Sequence, residues 1–199
     1  MRIALITAAL AASTALATPA FAQSEEGTFT GPRAEVIVGW DRVEDGADSQ
    51  DGVVYGGAIG YDFQAGGAVF GVEAEATGAT TKQQGAAIFV PGDQLRVKAG
   101  RDLYVGGRVG FLVGENALIY AKGGYTNAQM DIRYQAPGGT NINDSETFDG
   151  WRLGAGAEVK LSGNLYLKGE YRYSNYSESN NTPIDVNRHQ VVGGIGIRF

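Results

Sequence analysis

The chain lacks residues on which several common kinds of site depend. It has no cysteine among its 199 residues, which excludes disulfides and thiol chemistry. His189 is the only histidine, so a metal cluster built on histidines is also excluded. Positive charge is scarce as well: the formal net charge is -6, and this acidity argues against nucleic acid as a partner.

A long apolar run is missing beyond residue 22, where nothing approaches the roughly 18 residues that a spanning helix needs. The chain begins with a positive Arg2, an apolar centre and the cleavage pattern Ala20-Phe21-Ala22. We therefore predict a secretory signal peptide over 1–22 and a mature chain of 177 residues (199 minus 22) that starts at Gln23. Residues 23–199 suit a single domain. Mass spectrometry of the mature protein tests the cleavage.

What the chain does have is alternation of apolar with polar or small residues. In the last segment, 188–199, every second residue up to Phe199 is apolar or small, which predicts a strand with two unlike faces. A final strand that stops on an aromatic residue is typical of bacterial outer-membrane barrels. None of the alternating segments carries a charged residue on its apolar face. The eight predicted strands are 33–42, 53–63, 68–77, 102–112, 117–126, 150–161, 165–174 and 188–199.

Connections between these segments alternate in length. Three are tight, contain Gly or Asn and have the size of hairpin turns: 64–67, 113–116 and 162–164. The other four are long and polar: 41–52, 78–101, 127–149 and 175–187. Short turns on one side and long loops on the other predict an eight-stranded antiparallel up-and-down transmembrane β-barrel.

The two faces differ in a way that favours membrane insertion. Aromatic residues of the apolar face gather at the strand ends, as two girdles. The polar face mixes long charged residues with glycines, which suits a crowded, narrow interior. The long-loop girdle comprises Trp40, Tyr55, Tyr125, Trp151, Tyr171 and Tyr173, and the short-turn girdle comprises Phe63, Phe70, Phe111 and Phe199. The alternative is a secreted soluble barrel that binds an apolar ligand, as lipocalins do.

Six short motifs recur in order along the predicted strands: Gly-Val-Glu-Ala-Glu at 71–75, Leu-Tyr-Val-Gly-Gly-Arg-Val-Gly-Phe at 103–111, Tyr-Ala-Lys-Gly-Gly-Tyr at 120–125, Gly-Trp-Arg-Leu-Gly-Ala-Gly-Ala-Glu at 150–158, Glu-Tyr-Arg-Tyr at 170–173 and the terminal Arg-Phe. Together they resemble the OmpA-type outer-membrane β-barrel family, which includes small surface antigens and opacity proteins of Gram-negative bacteria. The resemblance implies outer-membrane localisation and insertion by the barrel-assembly machinery, with Phe199 as the assembly signal. It covers the barrel only, without the periplasmic domain of full-length OmpA.

Ten charged residues are predicted to project into one interior. An unpaired charge there would be costly, so opposite signs are expected to pair across strands. We interpret the set as a structural plug, and the alternative is a narrow or gated pore opened by exchange of pairs. The residues are Glu73, Glu75, Arg108, Lys122, Arg152, Glu158, Lys160, Lys168, Glu170 and Arg172.

Other candidate sites have simpler interpretations. His189 is a rim residue, since Ser174 and Ser177 are only arbitrary choices of nucleophile for it. The acidic residues within 41–52 lack the spacing of an EF-hand loop, which leaves a solvated hairpin tip or weak bridging of divalent cations to lipid. Neither a catalytic residue nor a cofactor or metal site is predicted.

The predicted function is that of a structural, surface-facing outer-membrane barrel without enzymatic activity. It would contribute to membrane integrity and contact outer-membrane lipid, while its long loops meet extracellular ligands. The alternative function is a narrow, gated, porin-like channel for small solutes or ions.

Overall fold

The computed structural model describes residues 28–45, 48–80, 82–86, 94–135, 141–177 and 185–199, and they form one antiparallel sheet. Among these residues no helix is long and apolar enough to cross a membrane. The predicted signal peptide lies outside the described residues. The strands are β1 (Gly31–Asp45), β2 (Asp48–Ala65), β3 (Ala68–Ala79), β4 (Lys82–Ala86), β5 (Gln94–Val113), β6 (Ala117–Gln135), β7 (Asn141–Lys160), β8 (Leu165–Ser177) and β9 (Asp185–Arg198).

The sheet closes on itself as an eight-stranded barrel. Except for β3 and β4, each strand pairs with the next along the chain, β1 pairs with β9, and β3 pairs with β5 to complete the ring. β4 stands outside this ring and pairs with the outer part of β5, past a register shift between Ala99 and Asp102. The predicted fold class is confirmed, because closure leaves no unpaired edge among the eight barrel strands.

Tight turns join the strands at the end that the topology predicts to be periplasmic. Each turn contains one glycine with positive φ: 59° at Gly66, 70° at Gly114 and 58° at Gly163. This left-handed conformation strains residues that have a Cβ atom, which explains the choice of glycine. The three short connections are therefore placed as predicted.

The predicted extent of the long loops is wrong. Strands continue far into them: β6 runs to Gln135 and β7 starts at Asn141, within the predicted loop 127–149. Likewise β1 reaches Asp45 and β2 starts at Asp48. Past the membrane, the outer face of a strand no longer needs apolar residues, while backbone pairing continues. A polar strand without alternation cannot be told from a polar loop by its pattern.

Alternate residues of each strand face the interior or the surroundings. On β8, Lys168 and Glu170 are buried while Leu167 is 46% exposed. The exposed apolar residues continue around all eight barrel strands, and their exposed fractions reach 65% at Val72 and 67% at Phe199. The barrel thus has its apolar surface outside and its charges inside, as a lipid environment requires.

Candidate functional site

Among the residues whose burial the structure describes, sixteen charged side chains are buried in the interior of the barrel, eight positive and eight negative, so that their formal charges sum to zero. They come from all eight barrel strands, whose inward positions repeat every second residue. The cations are Arg33, Arg108, Lys122, Arg152, Lys168, Arg172, Arg188 and Arg198, and the anions are Glu35, Asp41, Asp62, Glu73, Glu75, Asp102, Glu158 and Glu170.

At the centre, Lys122 of β6 joins carboxylates from two other strands. Its Nζ lies 2.7 Å from Glu73 Oε1, 2.9 Å from Glu170 Oε1 and 3.6 Å from Glu75 Oε2. Arg172 also pairs with both Glu75 and Glu170. One cation therefore contacts several anions, and each of these anions has more than one cation within reach, so that charge is balanced by the network and not by separate pairs.

Towards the long-loop end, two arginines share one carboxylate. Arg152 Nη2 lies 2.5 Å from Asp102 Oδ2, and Arg188 Nη1 lies 2.8 Å from the same oxygen. Arg152 also reaches Glu75 at 3.1 Å, and Arg188 reaches Asp41 at 2.6 Å. These contacts connect the outer end of the network to its centre.

Towards the short-turn end two carboxylates each pair with the same two arginines. Asp62 Oδ2 accepts from Arg108 at 2.5 Å and pairs with Arg198 at 2.8 Å. Glu158 also pairs with both arginines, at 3.1 Å and 2.8 Å. Arg33 pairs with Asp62 at 3.2 Å and also with Glu73, so this end is continuous with the centre. Each of these buried charges has more than one partner, and together with the centre they form one connected network.

Three tyrosine rings fill the space beside inward-facing glycines. A Cβ atom added at Gly156 would lie 2.8 Å from the Tyr120 hydroxyl, and one at Gly196 would lie 2.4 Å from the Tyr166 hydroxyl. Those hydroxyls donate to Glu170 at 2.6 Å and to Glu35 at 2.7 Å. Tyr104 covers Gly106 in the same way. The interior glycines therefore make room for rings that belong to the polar network.

Apolar side chains pack at both ends of the charged interior. Phe29, which precedes β1, is fully buried against Val69, Leu118 and Tyr120 at the short-turn end. At the other end Ala128, Phe148 and Tyr176 form a second cluster, with Val43 packed against it. Sequence periodicity did not predict these clusters, because Phe29 lies before the first strand and the members of the second cluster lie in segments assigned to loops.

The structure places nine of the ten predicted interior residues in the network. The tenth, Lys160, is half-buried at the end of β7, where it lines a small cavity with Thr28 and Thr30, and it forms no ion pair with any residue of the described ranges. Its strand ends there, so the side chain lies beyond the paired charges. Seven members were missed by the sequence analysis: Arg33, Glu35, Asp41, Asp62, Asp102, Arg188 and Arg198.

A signal for most of the missed residues was present in the sequence. Arg33 and Glu35 alternate with Ala34, which lies on the apolar, outward face, so the repeat places both charges on the inward face of their strand. Asp62 and Arg198 likewise lie on inward parity. A count of every charged residue on the polar face of the predicted strands would have found them, and also Asp41, which lies where the predicted strand 33–42 overlaps the predicted loop 41–52.

His189 and Ser174 lie on opposite faces of the sheet. The Ser174 hydroxyl is buried and accepts from Arg152 Nε at 2.8 Å, whereas His189 is on the outer face. The two cannot act together as nucleophile and base. Within the described ranges, no cluster of three or more acidic, histidine or cysteine side chains could hold a metal ion.

The outer rim carries hydrogen bonds of its own. The Tyr125 hydroxyl and the Asn127 amide both donate to Asp149 Oδ1, the latter at 2.6 Å. These hydrogen bonds lower the pKa of the exposed Asp149 carboxyl, and the one from Tyr125 has the larger effect. Asp149 lies beyond the apolar band. The rim is thus polar where the band below it is apolar.

Comparison with known proteins gives consistent matches. Residues 8–199 match the family described as outer membrane protein beta-barrel domain. The 25 kDa outer-membrane immunogenic protein of Brucella canis is 30% identical over 145 residues, which cover 71% of this chain and 62% of that protein. The chain therefore spans less than two thirds of the length of this relative.

Two solved structures have a similar fold. Neisserial surface protein A matches with a TM-score of 0.57 at 16% identity, over 85% of this chain and 98% of that one. Ail, the attachment invasion locus protein of Yersinia pestis, in complex with the heparin analogue sucrose octasulfate, matches with a TM-score of 0.51 at 15% identity, over 85% and 99%. At these identities the likeness concerns the fold alone.

Proposed function

The chain belongs to the outer-membrane protein β-barrel domain family, and on that premise we propose that it is a closed, non-conducting barrel with a structural and surface-facing role. Its place as a surface protein of the Gram-negative outer membrane follows from the family and the relatives. The ion network inside the barrel would then act as a plug that stabilises the closed state.

The observation that supports this proposal best is the balance of the interior charges. In the described part of the chain eight cations and eight anions are buried together, and each of these carboxylates has at least one cationic partner. A water-filled path would have to separate several pairs, and each separation leaves a charge in a poorly hydrated space. The apolar clusters around Phe29 and Phe148 add a barrier at each end.

Single-channel recording of refolded protein in planar bilayers tests the plug. We expect wild type to show no steady conductance. The double substitution of Arg152→Ala with Glu75→Ala removes one buried cation and one buried anion that lie 3.1 Å apart. It leaves the formal charge of the interior unchanged and vacates space, so we expect conductance to appear.

A change of migration between unboiled and boiled SDS gels confirms that each sample contains folded barrel. Conductance of the double variant under the same conditions shows that refolded protein enters the bilayer, so that a silent wild type reports a closed interior. Large, steady conductance from wild type would overturn the plug and establish the narrow gated channel instead.

Phe199 and the last strand carry a second part of the proposal, which concerns assembly. Phe199 is 67% exposed on the outer face, and its backbone N–H donates to Pro32 O at 2.9 Å, where β9 meets β1. We propose that the barrel-assembly machinery recognises this end before the ring closes. Deletion of Phe199 should lower the amount of protein inserted in cells while refolding into lipid vesicles changes less. Equal loss in both assays would contradict recognition.

A further inference from the structure

A run of aromatic rings lies on the outer face of β7, β8 and β9, near their long-loop ends. The Trp151 and Tyr173 ring centroids are 5.4 Å apart, and those of Tyr173 and His189 are 5.1 Å apart. Tyr171 continues the run, 6.2 Å from His189. Trp151 and Tyr171 are 46% and 49% exposed. Neighbouring rings on a sheet form a broad apolar surface with polar edges.

Hydrogen bonds fix the positions of these rings. The Tyr171 hydroxyl and His189 Nδ1 are 2.7 Å apart, and the Tyr173 hydroxyl donates to Asn187 Oδ1 at 2.6 Å. Asn175 Nδ2 donates to the same oxygen at 3.1 Å. A side-chain amide has two N–H donors and an acceptor oxygen, so these contacts leave capacity for a ligand. The rings are held in place and bordered by groups that bind hydroxyls.

The height of this surface follows from the strand geometry. Phe199 lies ten positions after His189 along the end of the chain. At about 3.3 Å per residue and a tilt of about 40°, this corresponds to a height of about 25 Å, which is that of the apolar band of such barrels. The surface therefore lies at the upper edge of the band and faces the outer-leaflet headgroups from the side.

We propose that this surface, formed by Trp151, Tyr171, Tyr173, His189 and the two amides, binds the sugar headgroup of outer-leaflet glycolipid. A pyranose ring has a face of C–H groups, which packs on aromatic rings, and an edge of hydroxyls, which suits amide partners. A phospholipid headgroup offers no such ring. In the Gram-negative outer membrane the lipid with a sugar headgroup is lipopolysaccharide.

A cation stands beside the aromatic surface and fits the same ligand. Arg42 of β1 is the register partner of His189, and its side chain is 39% exposed although its Nε pairs with Glu44 at 3.1 Å. The sugars of such glycolipids carry phosphate, which an arginine can bind. The proposal uses only the outer-membrane location of the chain, so it does not depend on whether the barrel conducts.

The two tryptophans allow a direct test, because Trp40→Phe leaves Trp151 as the single tryptophan of the chain. This variant is placed in phosphatidylcholine nanodiscs that contain increasing fractions of either lipopolysaccharide or phosphatidylglycerol. We expect the fluorescence of Trp151 to change and saturate with lipopolysaccharide and to respond little to phosphatidylglycerol, which is anionic but has no sugar.

In the same background, Tyr173→Leu keeps apolar bulk but removes the central ring. We expect it to weaken the response to lipopolysaccharide roughly threefold to tenfold, which corresponds to the loss of one ring-stacking contact. Tyr55→Leu is the matched control, because Tyr55 is 54% exposed on the same rim but stacks on no other ring of the described residues. Asn187→Ala provides a second variant, should Tyr173→Leu fail to fold.

Two results would overturn the proposal. One is an equal response of Trp151 to phosphatidylglycerol, which would indicate ordinary interfacial anchoring of the aromatic girdle. The other is an equal weakening by Tyr55→Leu and Tyr173→Leu. A change of gel migration on boiling establishes folding for each variant before titration.

Discussion

The two faces of the same strands are opposite in chemistry although they are one residue apart. On β8, the inward Arg172 is fully buried among carboxylates, and its neighbour Tyr171 is 49% exposed on the outer face. In a soluble domain the charged residue would face water and the apolar one would be buried. The difference shows that lipid takes the place of the protein core for the outer face, while ion pairs supply cohesion inside.

The same kind of ion pair occurs in two settings. The Arg152–Asp102 contact, at 2.5 Å, is buried, whereas the Arg42–Glu44 contact, at 3.1 Å, has side chains 39% and 44% exposed. A buried charge that loses its partner remains desolvated, whereas an exposed one is hydrated by water. The interior pair and the exposed pair should therefore differ most in the stability that is lost when one partner is removed.

The largest effect is expected from Arg152→Ala in the interior. The substitution leaves Asp102 and Glu75 with fewer cations, and it also removes the contact with Ser174. We expect the free energy of unfolding to fall by about 3–5 kcal/mol. Urea unfolding in lipid vesicles measures it, with Arg152→Lys as the charge-preserving control. A loss below about 1 kcal/mol is typical of ion pairs that are exposed to water. Such a result would therefore mean that water already solvates these interior charges.

The next largest effect tests the lipid face. Ile195→Arg places a charge against hydrocarbon near the middle of the apolar band, where Ile195 is 43% exposed. We expect a loss of about 2–4 kcal/mol. Val192→Thr, on the inward parity at 2% exposure, should cost less because the interior is polar. If the threonine variant were the more damaging in vesicles, the two faces would be assigned backwards.

Two glycines on opposite faces of the barrel wall differ in the space that is available for a side chain. A Cβ atom at the inward Gly156 would lie 2.5 Å from Gly169 O and 2.8 Å from the Tyr120 hydroxyl, whereas one at the outward Gly169 meets nothing within 4 Å. Gly156→Ala should therefore destabilise by about 1–3 kcal/mol. Gly169→Ala should be neutral or stabilise by about 0.5–1 kcal/mol. Equal unfolding midpoints for the two variants would contradict a crowded interior.

The smallest effect is expected at the exposed outer rim of the barrel. Arg42→Ala breaks the exposed pair with Glu44 and should change stability by less than about 1 kcal/mol. The change should shrink further in high salt, because screening weakens exposed pairs. A loss as large as that of Arg152→Ala would show that the rim is as dry as the interior.

The pattern of alternation determined most of the fold. The parity of Leu167 and Lys168 depends only on the two-residue repeat of a strand, so each assignment could be made locally. Short turns with glycine, such as the one at Gly114, then set the order of neighbouring strands. The ends of strands beyond the membrane escaped prediction, because at Gln135 or Asn141 no change of solvent separates strand from loop.

The two-residue repeat of the sequence determined which face of each predicted strand is turned inwards, but only the tertiary structure decided which interior charges pair. Arg188 binds Asp41 across 147 residues, and Arg152 binds Glu75 across 77. Such partners depend on the register of every intervening strand and on the closure of β1 against β9. A two-residue repeat contains no information about that closure. The same holds for Phe29, whose burial needs a ring of strands around it before there is an interior to enter.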